Sequence, residues 1–232
     1  MVEFCHSEAV WAQFPQLVPA VLYVEGARTD KAPVEAVVAE YVSRARSRLA
    51  GSAIADFPEI QAWRRAFSAM GLKPTQYRCA SESLLRRLDK HGSLPQIHPL
   101  VDLCNALSVA HAIPVAALDV SCIAGALEVR HAHGDEIYES FSGEHEHPGR
   151  GEIVFADSAG VAHARRWTNR QSGASAVRPG TRDVLIVVEG LHPTASDDVP
   201  RLAALLAAEL SSLWGLGAKT AVLSREQPRF VT

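Results

Sequence analysis

The sequence predicts a single α+β domain in which a mixed or antiparallel β-sheet packs against helices. Three features of the chain predict this class. Apolar, β-branched segments typical of buried strands stand at residues 18–26 and 183–190. Apolar residues recur at helical spacing over most of residues 33–110. From Pro114 onwards they alternate with polar residues in short segments, as in β-strands. Helices and antiparallel strands in separate stretches of the chain are typical of α+β folds.

The two buried-type strands resemble each other. LYVEG at residues 22–26 and IVVEG at residues 186–190 each precede a loop and an amphipathic helix. One interpretation is that the two strand–helix units lie side by side in one sheet and so join the ends of the chain. The other is a chance likeness, since short apolar runs carry little information.

Four helices are predicted before residue 111 and one near the C-terminus. They are Pro33 to Leu49, 57–70, 81–91, 99–110, and a segment that follows Asp197 and Asp198 and ends at Gly215. Ser81 is the predicted N-cap of the third helix, because its hydroxyl can accept a free N–H at the helix start. Gly92 is predicted to end that helix, because glycine readily adopts the left-handed conformation found there.

The segments after Pro114 alternate apolar and polar residues and are separated by glycine, proline and aspartate. They read AALDV, ALEVRHA, DEIYESF, GEIVFAD and VAHARRW. This pattern predicts an antiparallel meander of four or five strands. No linker or low-complexity tract interrupts the chain, so residues 1–232 are predicted to form one domain.

Composition narrows the classes of function. The 23 lysines and arginines against 26 acidic residues give a net charge of −3, which excludes a protein that coats nucleic acid. The four cysteines form no CxxC pair, which indicates reduced thiols and a cytoplasmic protein. The N-terminus has no signal-peptide pattern, and the longest apolar stretches are too short to span a membrane. We therefore expect no membrane partner and no DNA partner.

Charge is segregated along the chain. Residues 158–182 hold five arginines and no acid, and a second basic run covers residues 64–90, while residues 135–152 hold six acids. If the two basic stretches share a face, they form a surface for an anionic ligand, because arginine grips phosphate with two N–H groups. The alternative is that the arginines pair with the acidic stretch.

Two pairs of histidines suggest a metal site, but the spacing within and between the pairs matches no known metal-binding pattern. His131 and His133 alternate along one predicted strand, and His145 and His147 lie in a turn-like segment. Neutral imidazoles suit zinc, yet this spacing matches no zinc signature. A polar strand face and an exposed loop are the favoured interpretation, so no metal and no cofactor is expected.

Polar residues in segments that are predicted to be buried indicate a candidate site. Asp102 and Asn105 stand three residues apart, so both can lie on one helix face. The segment RRWTNRQS at residues 165–172 combines an aromatic ring, guanidinium groups and amides, which suits stacking on a base and holding phosphate. A hydrogen-bonded corner that stabilises the meander remains the alternative.

These segments resemble the editing domain of the bacterial phenylalanyl-tRNA synthetase β subunit, and more closely the free-standing proteins that consist of that domain. The resemblance is strongest over residues 63–192, with 1–56 and 193–232 as extensions. Its anchors are Ser81 to Leu88, the VDxxN motif from Val101 to Asn105, Pro114 to Asp119, Gly125 to Arg130, GEIV at 151–154 with Asp157, Ser172–Gly173, Thr181 and the strand that ends at Glu189. The resemblance implies the α+β fold of that domain.

The resemblance also implies hydrolysis of a mischarged aminoacyl-tRNA ester, with the acceptor end of the tRNA and its amino acid as partner. It places Asn105 and Glu189 as catalytic residues. It implies substrate-binding positions at Cys104, Ala116, Thr168, Asn169, Gln171, Ser172 and Thr181. Arg165, Arg166 and Arg170 would hold tRNA phosphate, and Trp167 would stack on a base.

The chain departs from the family pattern at several of these positions. Cys104 replaces the threonine that precedes the family asparagine, and Ala116 stands where the family has a histidine. Residues 167–172 replace a glycine-rich segment. A non-catalytic module that binds tRNA or an aminoacyl ligand, and a small-molecule enzyme that reuses the pocket, are therefore the competing hypotheses.

Overall fold

The computed structural model of this protein describes residues 2–29, 31 and 33–232. The helices in this part of the chain are α1 (Glu8–Gln13), α2 (Glu35–Gly51), α3 (Pro58–Ala69), α4 (Ala80–His91), α5 (Pro99–His111) and α6 (Ala195–Trp214). The strands are β1 (Glu3–His6), β2 (Val18–Val24), β3 (Val115–Asp119), β4 (Ala126–His131), β5 (Tyr138–Glu139), β6 (His145–Glu146), β7 (Ile153–Asp157), β8 (Ala162–Arg165), β9 (Arg170–Gln171), β10 (Val184–Gly190), β11 (Lys219–Val222) and β12 (Arg229–Val231).

The strands form two larger sheets and one small hairpin. The six-stranded sheet has the order β12-β1-β4-β7-β8-β9, and the four-stranded sheet has the order β11-β2-β10-β3. The β1–β4 pair is parallel, and the other neighbours are antiparallel. Strands β5 and β6 pair with each other. Helices and mixed sheets thus form a single α+β domain, as the sequence predicts.

The two similar strands of the sequence pair directly. β2 and β10 are antiparallel neighbours, with Leu22 opposite Ile186 and Pro19 opposite Glu189. The prediction that they lie side by side in one sheet is confirmed. Because the middle of the four-stranded sheet is covered on both faces, all seven residues of β10 are buried. That burial explains why its sequence is apolar throughout and does not alternate.

The two faces of β10 contribute to two apolar cores. Ile186 and Val188 pack in a core with helices α2, α5 and α6. Leu185 and Val187 face the other core, which lies against the six-stranded sheet and includes Phe155 of β7. Since side chains alternate along a strand, Glu189 shares the face of Val187 and lies between the two sheets. The register of β10 therefore places a carboxyl group inside the second core.

The predicted helices are present, with small differences at their ends. Gly92 and Gly215 follow α4 and α6 with φ of 73° and 67°, the left-handed conformation predicted for them. Ser81 is not the N-cap of α4. The cap position is Cys79, and Ser81 lies inside the helix, where its Oγ is 3.3 Å from the Cys79 Sγ.

The predicted meander is only partly correct. β4, β7, β8 and β9 do follow one another in antiparallel order. Val115–Asp119, however, pairs with β10 in the four-stranded sheet, and Tyr138–Glu139 pairs only with β6. An alternating pattern shows which face of a strand is buried and carries no information about its partner.

No helix within the described residues is both long and apolar enough to cross a membrane.

Candidate functional site

A small chamber opens between β3, β10 and the turn that joins β8 to β9. Its volume is about 60 Å³. The described residues that line it are Ala80, Pro114, Val115, Ala116, Leu118, Phe155, Ala164, Trp167, Thr168, Asn169, Gln171, Val187 and Glu189. Among them Glu189 alone carries a charged side chain, so the chamber is an apolar space that holds one carboxyl group.

Glu189 is held at one of its two oxygens. Its Oε1 accepts hydrogen bonds from the Trp167 indole Nε1, at 2.8 Å, and from the His6 Nε2, at 2.7 Å. Its Oε2 makes no hydrogen bond to the described residues, although Glu189 is only 2% exposed. A buried charge without full pairing is unfavourable unless a ligand or water completes it. The chamber therefore offers a ligand two polar groups, the Glu189 Oε2 and the Thr168 hydroxyl, whose oxygen is buried without a partner among the described residues.

The turn at residues 166–169 directs Trp167 inward. Arg166 and Trp167 both have positive φ, at 49° and 56°, which is uncommon for bulky residues and costs conformational energy. The Trp167 backbone N–H donates to the Ile153 carbonyl at 2.7 Å, and its ring packs against Phe14 and Trp63. This backbone conformation brings the indole N–H to Glu189.

A larger vestibule adjoins the chamber. Its volume is about 320 Å³, and it shares Ala80, Val115, Asn169 and Gln171 with the chamber. The Asn169 Nδ2 donates to the Arg78 carbonyl at 2.7 Å, and the Gln171 Nε2 donates to the Ala117 carbonyl at 2.8 Å. These two anchored amides mark the boundary between the compartments, which together form one two-part site.

Helix α5 contributes Cys104 and Asn105 to the vestibule. The Asn105 amide makes no hydrogen bond to the described residues, so its donor and acceptor are both available to a ligand. Burial, with a smaller contribution from Asp102, raises the pKa of the Cys104 thiol to about 12. Cys104 is therefore a packed thiol and not a nucleophile at neutral pH.

Asp102 does not share the face of Asn105. Its Oδ1 accepts a hydrogen bond from the Ile97 N–H at 2.8 Å, and the residue lines a different groove, beside α2. The three-residue spacing permits a shared face, but Asp102 in the first turn of α5 is used to bind the preceding loop.

Two of the predicted substrate-binding residues lie outside both compartments. The Ser172 hydroxyl donates to the Glu139 carbonyl at 2.7 Å, and the Thr181 hydroxyl donates to the Asp119 Oδ2 at 2.6 Å. Both hydroxyls are buried and hold loops to strands. The other five predicted positions, Cys104, Ala116, Thr168, Asn169 and Gln171, line the chamber or the vestibule.

The predicted phosphate-binding arginines are used inside the protein. Arg165 is 6% exposed, and its guanidinium binds the Glu152 carboxylate, at 2.9 and 3.0 Å, and Glu146. Arg170 also pairs with Glu146, at 3.1 Å. The acidic stretch of the sequence thus pairs with the arginine-rich one, which is the second of the two interpretations left open by the charge pattern.

Arg166 and Trp167 are likewise unsuited to a surface role in this structure. The Arg166 guanidinium lies 4.7 Å from the centre of the Tyr77 ring, and its Nε is 3.9 Å from Glu152. Trp167 is fully buried, so neither face of the ring is open to a base. The expectation that Trp167 stacks on tRNA does not fit this position; the ring is a wall of the chamber.

The histidine pairs do not converge. The His131 Nε2 is 2.9 Å from the Gln13 Oε1, and the His147 Nδ1 is 2.9 Å from the Glu136 carbonyl. Across the described residues, no group of three or more histidine, cysteine, aspartate or glutamate side chains could hold a metal ion.

Two residues of the site have no signal in the sequence. His6 comes from the N-terminal strand and reaches Glu189 across 183 positions of the chain. Phe141, at the tip of the β5–β6 hairpin, lines the vestibule and is 71% exposed. Phe141 ends the segment DEIYESF, which the sequence predicts as a strand, so its position in a hairpin turn has no local signal.

The fold and the site define a class: an α+β domain with a buried carboxyl group in a chamber between two sheets. Residues 62–201 match the model of the B3/4 domain family, which is more than half of the chain. The chain therefore belongs to the B3/4 domain family. This agrees with the resemblance to the synthetase β subunit, and the match ends within α6.

Among solved structures, the chain is similar to an N-terminal fragment of the phenylalanyl-tRNA synthetase β subunit from Pyrococcus horikoshii. The TM-score is 0.51 at 12% identity, and the match covers 94% of this chain and 50% of that one. At this identity the likeness concerns the fold alone, and this chain spans half the length of that fragment. A comparison with curated proteins found no match.

Proposed function

We propose that this protein binds the aminoacylated acceptor end of a tRNA and hydrolyses the ester bond of a mischarged aminoacyl-tRNA in trans. The observation that carries the proposal is the free Oε2 of Glu189 in a chamber with no other charged side chain among its described lining. A primary ammonium group is the natural partner of a buried carboxylate. An aminoacyl ester presents such a group next to its carbonyl.

The two-part shape suits the two parts of this ligand. The amino-acid part would occupy the chamber, and the ester and ribose would lie in the vestibule beside Asn105. The unpaired Asn105 amide would orient the attacking water or the ribose. Asn169 and Gln171, at the boundary, would contact the ester from the opposite side.

The reaction needs little from the protein beyond orientation. The water oxygen bonds to the ester carbon, the bond from that carbon to the ribose oxygen breaks, and the ribose oxygen takes up a proton. An aminoacyl ester is already labile, and the terminal ribose offers a neighbouring hydroxyl. Ala116, in place of the family histidine, is therefore compatible with hydrolysis, which would rest on a positioned water and donors to the developing oxyanion.

Family membership and fold support a partner of this kind. One structure similar to this chain belongs to a phenylalanyl-tRNA synthetase β subunit, whose name states a tRNA substrate. The exposed Phe141 ring, which lines the vestibule, would stack on a base of the tRNA end in place of the buried Trp167. Such a substrate also suits the predicted cytoplasmic location, and no pair of the four cysteines forms a disulfide.

A deacylation assay over a panel of mischarged aminoacyl-tRNAs tests the proposal. We expect the wild-type protein to release the amino acid from at least one of them. Asn105→Ala should lower turnover about 10- to 100-fold while affinity for the tRNA stays within threefold, because the amide acts on the reacting ester. The matched control is Glu209→Gln, on α6, whose carboxylate accepts from the Tyr41 hydroxyl at 2.7 Å away from the site. Lack of activity on the whole panel by folded protein would refute the hydrolysis.

A non-catalytic binding module is the second candidate. It is favoured by Ala116, because the described lining of the chamber then holds no ionisable side chain besides Glu189. The same experiment separates the two functions. Tight binding of an aminoacyl-tRNA without turnover, unchanged by Asn105→Ala, would establish the binding module.

A further inference from the structure

His6 connects the N-terminal strand to the chamber. It ends β1, which pairs with β4 in the six-stranded sheet, whereas Glu189 belongs to the four-stranded sheet. The side chains of His6 and Glu189 are both almost fully buried, and they meet at 2.7 Å. This pair therefore bridges the two sheets. His6 also lies outside residues 62–201, the part of the chain that matches the family.

The geometry of the pair defines which atom carries the proton. An ionised carboxylate oxygen only accepts hydrogen bonds, so the His6 Nε2 must donate to the Glu189 Oε1. The His6 Nδ1 is buried and has no partner among the described residues. The ring is otherwise packed against Phe4 and Trp11, at 5.3 and 5.4 Å between centroids.

The charge of the chamber depends on Glu189, which carries the one charged side chain among the described residues that line it. The Trp167 indole, which donates to the same oxygen, adds no charge. With both donors on Oε1, the carboxyl group cannot rotate freely, and Oε2 is left towards the chamber that Glu189 lines.

We propose that His6 is a positioning residue that, together with Trp167, holds Glu189 so that its free oxygen binds the ammonium group of the ligand. The N-terminal strand then completes a site whose other parts come from the family segment. This inference rests on the proposed function for the identity of the ligand. The positioning of Glu189 by His6 can be tested without any ligand.

The first test uses ligand-free protein and nuclear magnetic resonance. The variants are His6→Met, which removes the donor, and His6→Gln, which offers an amide N–H in its place. We expect His6→Met to shift the Glu189 carboxyl ¹³C signal and the Trp167 indole N–H signal, and His6→Gln to restore most of both shifts. Trp167→Phe assigns the indole signal among the four tryptophans.

The matched control for this test is His163→Met. His163 is also fully buried, its Nε2 is 3.2 Å from a carboxylate oxygen of Asp157, and its Nδ1 also lacks a partner among the described residues. It does not line the chamber. Unchanged Glu189 and Trp167 signals in folded His6→Met, or equal shifts in folded His163→Met, would overturn the positioning role whatever the function of the protein.

The second test measures binding of a non-hydrolysable probe, an adenosine that carries the amino acid through a 3′-amide, over several amino acids. We expect affinity to fall about tenfold in His6→Met and about 100-fold in Glu189→Gln. The double variant should lose no more than Glu189→Gln alone, because His6 acts through Glu189. An N-acetylated probe, which lacks the cation, should bind weakly and equally to all variants.

The outcomes separate the two claims. Additive losses in the double variant would show that His6 does not act through Glu189. Equal affinity for the acetylated and free-amine probes would refute the ammonium assignment. Shifted signals in His6→Met combined with no binding of any probe would refute the proposed ligand and leave the positioning of Glu189 established.

Discussion

Two regions of this protein treat buried carboxylates in opposite ways. In the chamber, Glu189 receives two hydrogen-bond donors on one oxygen and has no partner among the arginines. Around the β5–β6 hairpin, arginines and carboxylates pair with one another, and we call this set of side chains the network. It has two parts, Arg130 with Glu136, and Arg165 and Arg170 with Glu146 and Glu152.

The two regions have different roles: the network stabilises the fold, and the chamber is available to bind a ligand. Charges that satisfy one another inside the network leave nothing for a ligand, and removing one partner would strand the other. The Glu189 carboxyl is left incomplete, which is unfavourable for the free protein and useful to a ligand that brings a positive charge. The network should therefore respond to substitution through unfolding, and the chamber through binding.

The largest effect is expected for Glu189→Gln. Glutamine keeps an oxygen for the two donors but removes the charge, so affinity for the free-amine probe should fall about 100-fold. The melting temperature should stay level or rise, because a buried, incompletely paired charge is lost. Titration calorimetry and thermal unfolding measure the two quantities. A variant that unfolds several degrees earlier and still binds would place Glu189 with the structural charges.

Arg165→Met should show the opposite behaviour. Among the described residues, its loss leaves Glu152 with only backbone N–H donors, including that of Arg166, and a guanidinium at 3.9 Å, so the free energy of unfolding should drop by about 3 kcal/mol. Urea unfolding measures this, and binding of the probe to the folded variant should change less than twofold. The Arg170 side chain is more exposed, so Arg170→Met serves as a control with a smaller expected effect. Its free energy of unfolding should fall by about 1 kcal/mol. Weaker tRNA binding by Arg165→Met without loss of stability would favour a phosphate-binding role instead.

Lowering the pH should destabilise the folded protein, because Glu136 becomes protonated and loses its interactions in the network. Burial by itself raises the pKa of Glu136, but the backbone N–H groups of His133 and Gly134 and the Arg130 guanidinium outweigh it and lower the pKa to about 2. The stabilising contribution is therefore complete above the ordinary value of 4.5 and is lost as the pH falls from there towards 2. We expect Glu136 to account for about 2 kcal/mol of that loss.

Urea titrations between pH 6 and 2 measure this contribution. Asp157 and Glu82 also have lowered pKa values, so the wild type loses more than the contribution of Glu136 alone. The comparison with Glu136→Gln isolates it, because the variant should be less stable near neutral pH and should lose less towards pH 2. Parallel curves for the two proteins would contradict the assignment.

The smallest effect is expected for Phe141→Ala. Loss of one stacking ring should weaken binding of the tRNA end by about 1 kcal/mol, roughly fivefold, and leave unfolding unchanged because the side chain is exposed. Filter binding measures the affinity. Val222→Ala, another exposed apolar residue on β11, is the matched control. Equal affinity in both variants would remove Phe141 from the site.

Much of the fold could be predicted from local patterns. The periodicity of residues 57–70 and 99–110 and the glycines after α4 and α6 located these helices, because helix ends depend on nearby residues. The meander was less predictable. Val115–Asp119 has the same alternation as its neighbours in sequence, yet it joins β10, since strand pairing is decided by distant segments.

The candidate site likewise contains residues that could be predicted from the sequence and residues whose position only the structure shows. Asn105, Glu189 and five of the seven predicted substrate-binding residues line the chamber or the vestibule, and the resemblance to a known family supplied them. Trp167 and Arg165 look like surface residues in the sequence because tryptophan beside arginines is common in nucleic-acid sites. Two positive φ angles in one turn and the acids of a separate hairpin place them inside.

The sequence by itself determined the α+β class, the helices, the segments that form strands and the choice of Glu189 as a site residue. The class, the helices and the strands depend on composition and periodicity within short windows, whereas the carboxyl group at residue 189 was supplied by the resemblance to a known family. Only the tertiary structure decided that arginines 165 and 170 are neutralised by glutamates, and that His6 meets Glu189. These contacts join segments far apart in the chain, and their energy comes from burial and charge pairing that exist only after the two sheets have packed.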